Sequence, residues 1–253
     1  MLKKKKILNT SISMGSYNEF IDAICAMSVS RSSSYVCFAN AHMLTTAHQQ
    51  PAFATVVNSA DIVAPDGKPV SILMNVSYST RQERVCGMDL LPDLLRACAD
   101  TALSVYFYGS TDSVLEKIKH RALTEFPNLR IAGTYSPPFR TLSESEDAEA
   151  VNMINKANPS LIFVSLGCPK QEKWMHEHKG RINGCMLGVG QAFLTYAGIE
   201  KRLPPWARAL SLEWLYRLYL EPKRLWRRYL IGNAQFLFAA SRWMLASKLQ
   251  QLM

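Results

Sequence analysis

Short apolar runs alternate with helix-period stretches along most of this chain. Val36–Ala39 is a β-prone run that stops at Asn40-Ala41-His42. Apolar positions then recur at helical spacing, through Met43, Leu44 and Ala47 and again through Phe53, Val56 and Val57. Asp61–Ala64 predicts a second short strand, closed by the turn residues Pro65-Asp66-Gly67. Helical spacing resumes at Val70, Leu73 and Met74. A further segment opens at Val85–Gly87 and leads into a helix carrying Leu90, Leu94, Leu95 and Cys98. Ser104–Tyr108, Leu129–Ala132, Leu161–Leu166 and Cys185–Val189 predict four more strands. Helices are expected between them, from near Ser113, from about Ser145 to Asn155, and through Trp174 and Met175.

Strands alternating with helices predict an α/β fold, a Rossmann-like, largely parallel sheet with helices on both faces. Beyond Gly198 the β-pattern disappears and the chain turns helical, basic and aromatic. The expected division is therefore an α/β domain over 1–198 and a C-terminal helical appendage over 199–253. Sheets of this kind bind ligands outside the carboxyl ends of their strands. Those ends are Asn40, Asp66, Gly109-Ser110, Gly167 to Gln171, and Gly190-Gln191. All but the first contain or adjoin glycine, which suits close backbone approach to phosphate.

Charge adds a second feature. Of the net +9, the segment 199–253 carries +7, from ten Lys/Arg against Glu200, Glu213 and Glu221. It also holds Trp206, Trp214, Trp226 and Trp243, four of the five tryptophans. Basic and aromatic residues interleaved in one terminal segment point to an anionic partner, a lipid head group or a nucleic acid. The most apolar late stretch, Tyr229–Ala246, contains Asn233, Gln235 and Arg242 and falls short of the ~20 apolar residues of a spanning helix. Six scattered cysteines with no C-x-x-C pair predict reduced thiols in the cytosol. No D-x-D motif and no cluster at metal-ligand spacing is present, so neither a metal nor another cofactor is expected.

Eight motifs sharpen this reading. Phe38-Ala39-Asn40-Ala41-His42, Ala64-Pro65-Asp66-Gly67 and Arg84-Val85-Cys86-Gly87-Met88-Asp89 come first. Val164–Glu172 (VSLGCPKQE) and Gly188–Phe193 (GVGQAF) follow, then Arg202–Trp206 (RLPPW), Leu212–Leu218 (LEWLYRL) and Glu221–Tyr229 (EPKRLWRRY). In that order, over about residues 30–230, they resemble the WecG/TagA/CpsF family of glycosyltransferases. The resemblance implies an inverting enzyme that moves a sugar from a UDP donor onto an undecaprenyl-diphosphate-linked saccharide, in surface-polymer synthesis. It also implies a peripheral position on the inner face of the cell membrane and homo-oligomers. With no nucleic-acid motif in the chain, it favours anionic lipid as the partner of the basic segment.

The resemblance assigns roles residue by residue. Asp66 matches the family's proposed general base, although a P-D-G aspartate is also common simply as a turn former. Asn40 is either a substrate contact or the N-cap of the following helix. The family often carries Thr two positions earlier, where this chain has Phe38. Arg84 is expected near the reacting diphosphate. Arg217, Arg224 and Arg227 match arginines of the closing C-terminal segment, where a guanidinium fork replaces a metal. Gln171, with Gly167, Gly190 and Gln191, belongs to the nucleotide-sugar pocket, and Gly109 with Ser110 to a phosphate- or uridine-contacting strand end. On one unbroken helix Arg217, Arg224 and Arg228 would share a face; Pro222 is placed to reset that phase. Two alternatives are a nucleotide-binding oxidoreductase, for which the G-x-G-x-x-G fingerprint is missing, and a non-catalytic membrane scaffold.

Overall fold

A computed structural model describes residues 2–209 and 212–252, without the side chains of residues 205, 209, 224, 228 and 247–252. Six parallel strands form its centre: β3 (Ser34–Ala39), β4 (Ile62–Pro65), β5 (Ser104–Gly109), β6 (Arg130–Tyr135), β7 (Leu161–Ser165) and β8 (Cys185–Gly188). Their order across the sheet is β4-β3-β8-β7-β5-β6. Strands covered on both faces need apolar residues at consecutive positions, hence the unbroken runs in the sequence. Alternate side chains divide between two cores. Tyr35, Cys37, Tyr106, Tyr108, Ile162 and Val164 enter one. Val36, Phe38, Val105, Phe107, Leu161 and Phe163 enter the other, where Phe107 stacks on Phe163 at 5.6 Å.

The helices sort by the same division. α2 (Ala41–Gln49), α3 (Pro51–Asn58), α4 (Lys68–Tyr78), α7 (Glu144–Ala157) and α8 (Lys170–His178) cover the first face. α1 (Tyr17–Ser30), α5 (Gly87–Asp100), α6 (Asp112–Glu125) and α9 (Ala192–Tyr196) cover the second. Across β3-β8-β7-β5 the following helices are α2, α9, α8 and α6, so they leave toward alternate faces. That divergence opens crevices at the carboxyl ends of the central strands.

Two N-terminal elements were not expected. β1 (Lys3–Ile7) pairs antiparallel with β2 (Thr10–Met14). The four lysines of β1 carry no alternation and are exposed; Thr10, Ile12 and Ser13 of β2 are buried, so the hairpin is held through its second strand. α1 opens with a capping box between Ser16 and Glu19, a signal that was present in the sequence.

The last strand ends at Gly188, and every described element beyond Gly198 is helical. α10 (Pro205–Ala209), α11 (Glu213–Leu220) and α12 (Pro222–Trp226) are short. Pro222 begins α12, so the helical phase does restart there. A π-helical turn, Arg227–Ile231, leads into α13 (Gly232–Leu252). Phe236 and Ala240 of α13 are buried in the first core, and Trp243 lies 6.4 Å from Tyr78. Trp206, Trp214 and Trp226 remain exposed.

Candidate active site

A cavity of about 750 Å³ opens at the carboxyl ends of β3, β4, β5, β7 and β8, with α11, the π-helical turn and the start of α13 on its outer side. Asn40, Asp66, Ser110, Gly167 and Gly190 line it, one from each strand end. Asn40 is the N-cap that one of its two readings expected, and it lines the cavity. Its Oδ1 accepts from Met43 N at 3.1 Å as the N-cap of α2, and its side chain also hydrogen-bonds Asp66.

Asp66 follows β4, where its backbone N–H donates to Ala39 O at 3.0 Å. Gly67, at φ +90°, turns the chain into α4. Asp66 is half-buried and lines the cavity. Burial is the main reason its pKa rises from 3.8 to about 6. Arg84 and Arg217 pull in the opposite direction, Glu213 adds to the rise, and the Asn40 hydrogen bond opposes it.

The back wall is braced by Gln171, which is buried. Its Oε1 accepts from Gly167 N at 3.2 Å, and its Nε2 donates to Gly188 O at 2.7 Å and to Glu172 Oε1 at 2.8 Å. One amide thus ties the β7 and β8 loops together. Gln191 also lines the cavity, and its Nε2 donates to both Glu200 carboxylate oxygens at 2.7 and 2.8 Å. Gly109 stands behind the wall, outside the lining residues. At φ +105°, with any Cβ only 2.3 Å from Ser165 O, its position admits no side chain. Ser110 and Thr111 present the surface instead, and the exposed Phe139 stands at the rim.

The opposite wall is ionic. Arg84 Nη1 donates to Glu213 Oε2 at 2.5 Å, and its Nη2 to Asp89 Oδ2 at 3.2 Å. Asp89 also accepts from Arg202 at 2.6 Å, Arg208 at 3.2 Å and the Cys86 thiol at 2.8 Å. Burial works against the charged form of Asp89. The Cys86 hydrogen bond and the arginines outweigh it and hold the carboxyl below its ordinary range. Asp89, Arg202 and Glu213 stood inside the sequence motifs, and Arg208 between two of them, without an assigned role. Charge alone did not show that residues 84 and 213 meet.

The three C-terminal arginines separate. Arg217 lines the cavity, with Nη2 3.5 Å from Met88 Sδ. Arg227 does not join it: it is exposed, outside the lining, with its guanidinium 5.3 Å from the Trp226 ring centroid. The helix restarts at Pro222, between Arg217 and Arg227. The Arg224 side chain lies outside the described residues. No group of three His, Cys, Asp or Glu able to hold a metal ion occurs among the described residues.

The profile of the Glycosyl transferase WecG/TagA/CpsF family matches residues 5–250. The chain is similar to the N-acetylglucosaminyldiphosphoundecaprenol N-acetyl-beta-D-mannosaminyltransferase of Bacillus subtilis, 32% identical over 200 residues, covering 74% of this chain and 75% of that one. The protein of the same name from Bacillus spizizenii is 32% identical over 198 residues, covering 78% and 75%. That from Staphylococcus aureus (strain NCTC 8325) is 28% identical over 197 residues, covering 76% and 74%.

Proposed function

The chain belongs to the WecG/TagA/CpsF family of glycosyl transferases, and we propose that it moves an N-acetylhexosaminyl group from a UDP donor onto an undecaprenyl-diphosphate-linked saccharide with inversion. The relatives' names point to a β-N-acetylmannosaminyl group and an N-acetylglucosaminyl-diphosphoundecaprenol acceptor. The observation that carries the reading is one cavity holding an enclosed carboxylate, Asp66, with Arg84 and Arg217 beside it.

The chemistry runs as a single displacement. The acceptor hydroxyl attacks the anomeric carbon on the face opposite the diphosphate, and Asp66 takes the hydroxyl proton as the new C–O bond forms. The bond to the diphosphate breaks, and UDP leaves with the electron pair. Arg84 and Arg217 offset the developing negative charge, a task that fixed cationic donors perform well in a partly enclosed site. A base with a pKa of about 6 is ionised at neutral pH and still basic enough to draw the proton. Gln171 and the glycine turns shape the donor pocket, and Asn40 orients the base.

We further assign residues 1–198 to the catalytic domain and 199–253 to an appendage that contributes Arg217 to the cavity and contacts the cytoplasmic face of the membrane. The supporting feature is the exposure of Trp206, Tyr219, Trp226, Leu230 and Phe238 on a segment of net charge +7. No helix among the described residues is long and apolar enough to cross a membrane. Arg227, beside Trp226, belongs to this outer surface rather than to the cavity.

The test is transfer by the full chain from a panel of UDP-sugars to an undecaprenyl-diphosphate N-acetylglucosamine analogue, with EDTA present. A β-linked product, identified by its anomeric coupling, is the expected result. An α-linked product, or no transfer from any donor, overturns the proposal. Loss of activity in EDTA alone overturns the assignment of diphosphate charge to arginines.

A further inference from the structure

Glu213 is a carboxylate inside a cavity whose proposed substrate is itself a diphosphate, which calls for an explanation. It sits at the start of α11 and reaches back 129 residues in sequence to Arg84. Asp89 takes the other Nη of the same guanidinium. Glu213 Oε1 also lies 3.8 Å from Arg202 Nε, and Arg202 is anchored on Asp89 at 2.6 Å. Arg84 is therefore held from two sides, by one acid of the α/β layer and one of the C-terminal segment.

Asp66 lines the same cavity as this cluster, with His42, Glu172, Glu200, Glu221 and Tyr229 among its other titratable lining residues. Asn40 precedes α2, Lys68 begins α4, Arg84 and Cys86 precede α5, and Glu213 and Arg217 belong to α11. Arg84 is the cation that acts most strongly on Asp66. With Glu213 absent, Arg84 Nη1 would lose its counter-ion while Nη2 kept Asp89, and the freed side of the guanidinium would belong to a cavity that Asp66 also lines. A carboxylate captured by an arginine is a poor base.

Building on the transferase reading, we propose that Glu213 is a positioning residue: from the docked α11 it engages Arg84 and keeps that guanidinium from capturing Asp66. Arg84 stays on the cavity wall, available to diphosphate, and Asp66 keeps its hydrogen bond to Asn40.

The experiment measures Asp66 directly, so it does not depend on turnover. Full-length protein labelled with carboxyl-13C aspartate is titrated by NMR, with the Asp66 signal assigned by its loss in Asp66→Asn. The expected midpoint is about 6 in the unaltered chain, and about one pH unit lower in Glu213→Gln, the usual scale for loss of a nearby like charge. Glu213→Asp, which keeps the charge, is expected to return most of the shift. An unmoved midpoint in a folded Glu213→Gln protein overturns the inference, as does an upward one. Should Glu213→Gln unfold, the Glu213→Ala titration takes its place with the same criterion. The acid limb of log(kcat/KM) against pH is then compared with the NMR midpoint. If the midpoint moves and the limb does not, Asp66 is not the base, and the proposed mechanism fails while the Glu213 inference stands.

Discussion

Replacing Asp66 by asparagine keeps the shape of the side chain and removes its charge, so it separates what the carboxylate does for chemistry from what it costs the fold. A positioned general base contributes about 10²–10⁴ in rate. kcat is therefore expected to fall by about that factor, with UDP affinity kept within a few-fold. The stability effect has the opposite sign. Asp66 goes from 3.8 in the unfolded chain to about 6 in the fold. Between those values the folded state binds the proton more tightly, so stability falls as pH rises through the window. Above pH 6 the cost of the ionised form is complete. About two pH units at about 1.4 kcal/mol each give about 3 kcal/mol as an upper bound. Water entering from the cavity mouth reduces this to about 1–3 kcal/mol.

Asp66→Asn should therefore be the more stable protein at pH 7.5, melting several degrees higher at about 2–4 °C per kcal/mol. The gain should vanish near pH 4, where both proteins carry a neutral side chain. Paired denaturant or thermal melts at pH 4, 5.5 and 7.5, with initial rates at pH 7.5, test the whole argument. A stability difference that does not change with pH would refute the burial reasoning. Turnover near the unaltered rate would refute the base.

Two further substitutions probe the walls. Arg217→Ala should lower kcat/KM with a soluble acceptor by about tenfold or more, as expected for loss of a charged contact to diphosphate. Arg227→Ala should leave that value within about twofold and weaken sedimentation with anionic vesicles; the reverse pattern would return Arg227 to the site. Gly109→Ala places a methyl 2.3 Å from Ser165 O at φ +105°. It should cost about 2–4 kcal/mol in urea unfolding, through overpacking and backbone strain, and a loss below 1 kcal/mol would contradict that reading.

The order of strands and helices from Ser34 to Gly188 was legible because both sheet faces are covered, so buried strands read as unbroken apolar runs. The β1–β2 hairpin was not legible, since Lys3–Lys6 has no alternation and becomes a strand only against β2. The strand-end residues were also legible as a group, because crossover connections bring such ends together. Of the two readings of Asn40, the fold shows the N-cap of α2, with the same side chain hydrogen-bonded to Asp66.

By itself, the sequence determined the α/β layering, the set of strand-end residues, the basic aromatic C-terminal segment and the family. Those follow from local periodicity, turn chemistry, composition and ordered motifs. Tertiary structure alone decided which charges meet. Arg84 lies opposite Glu213 because α11 folds back over the carboxyl ends of the strands. Arg217 and Arg227, ten residues apart in one basic run, lie on different helices, because α11 ends at Leu220 and α12 begins at Pro222 between them. The proton affinity of Asp66 likewise depends on enclosure and on distant charges, neither of which is a property of the Pro65-Asp66-Gly67 turn.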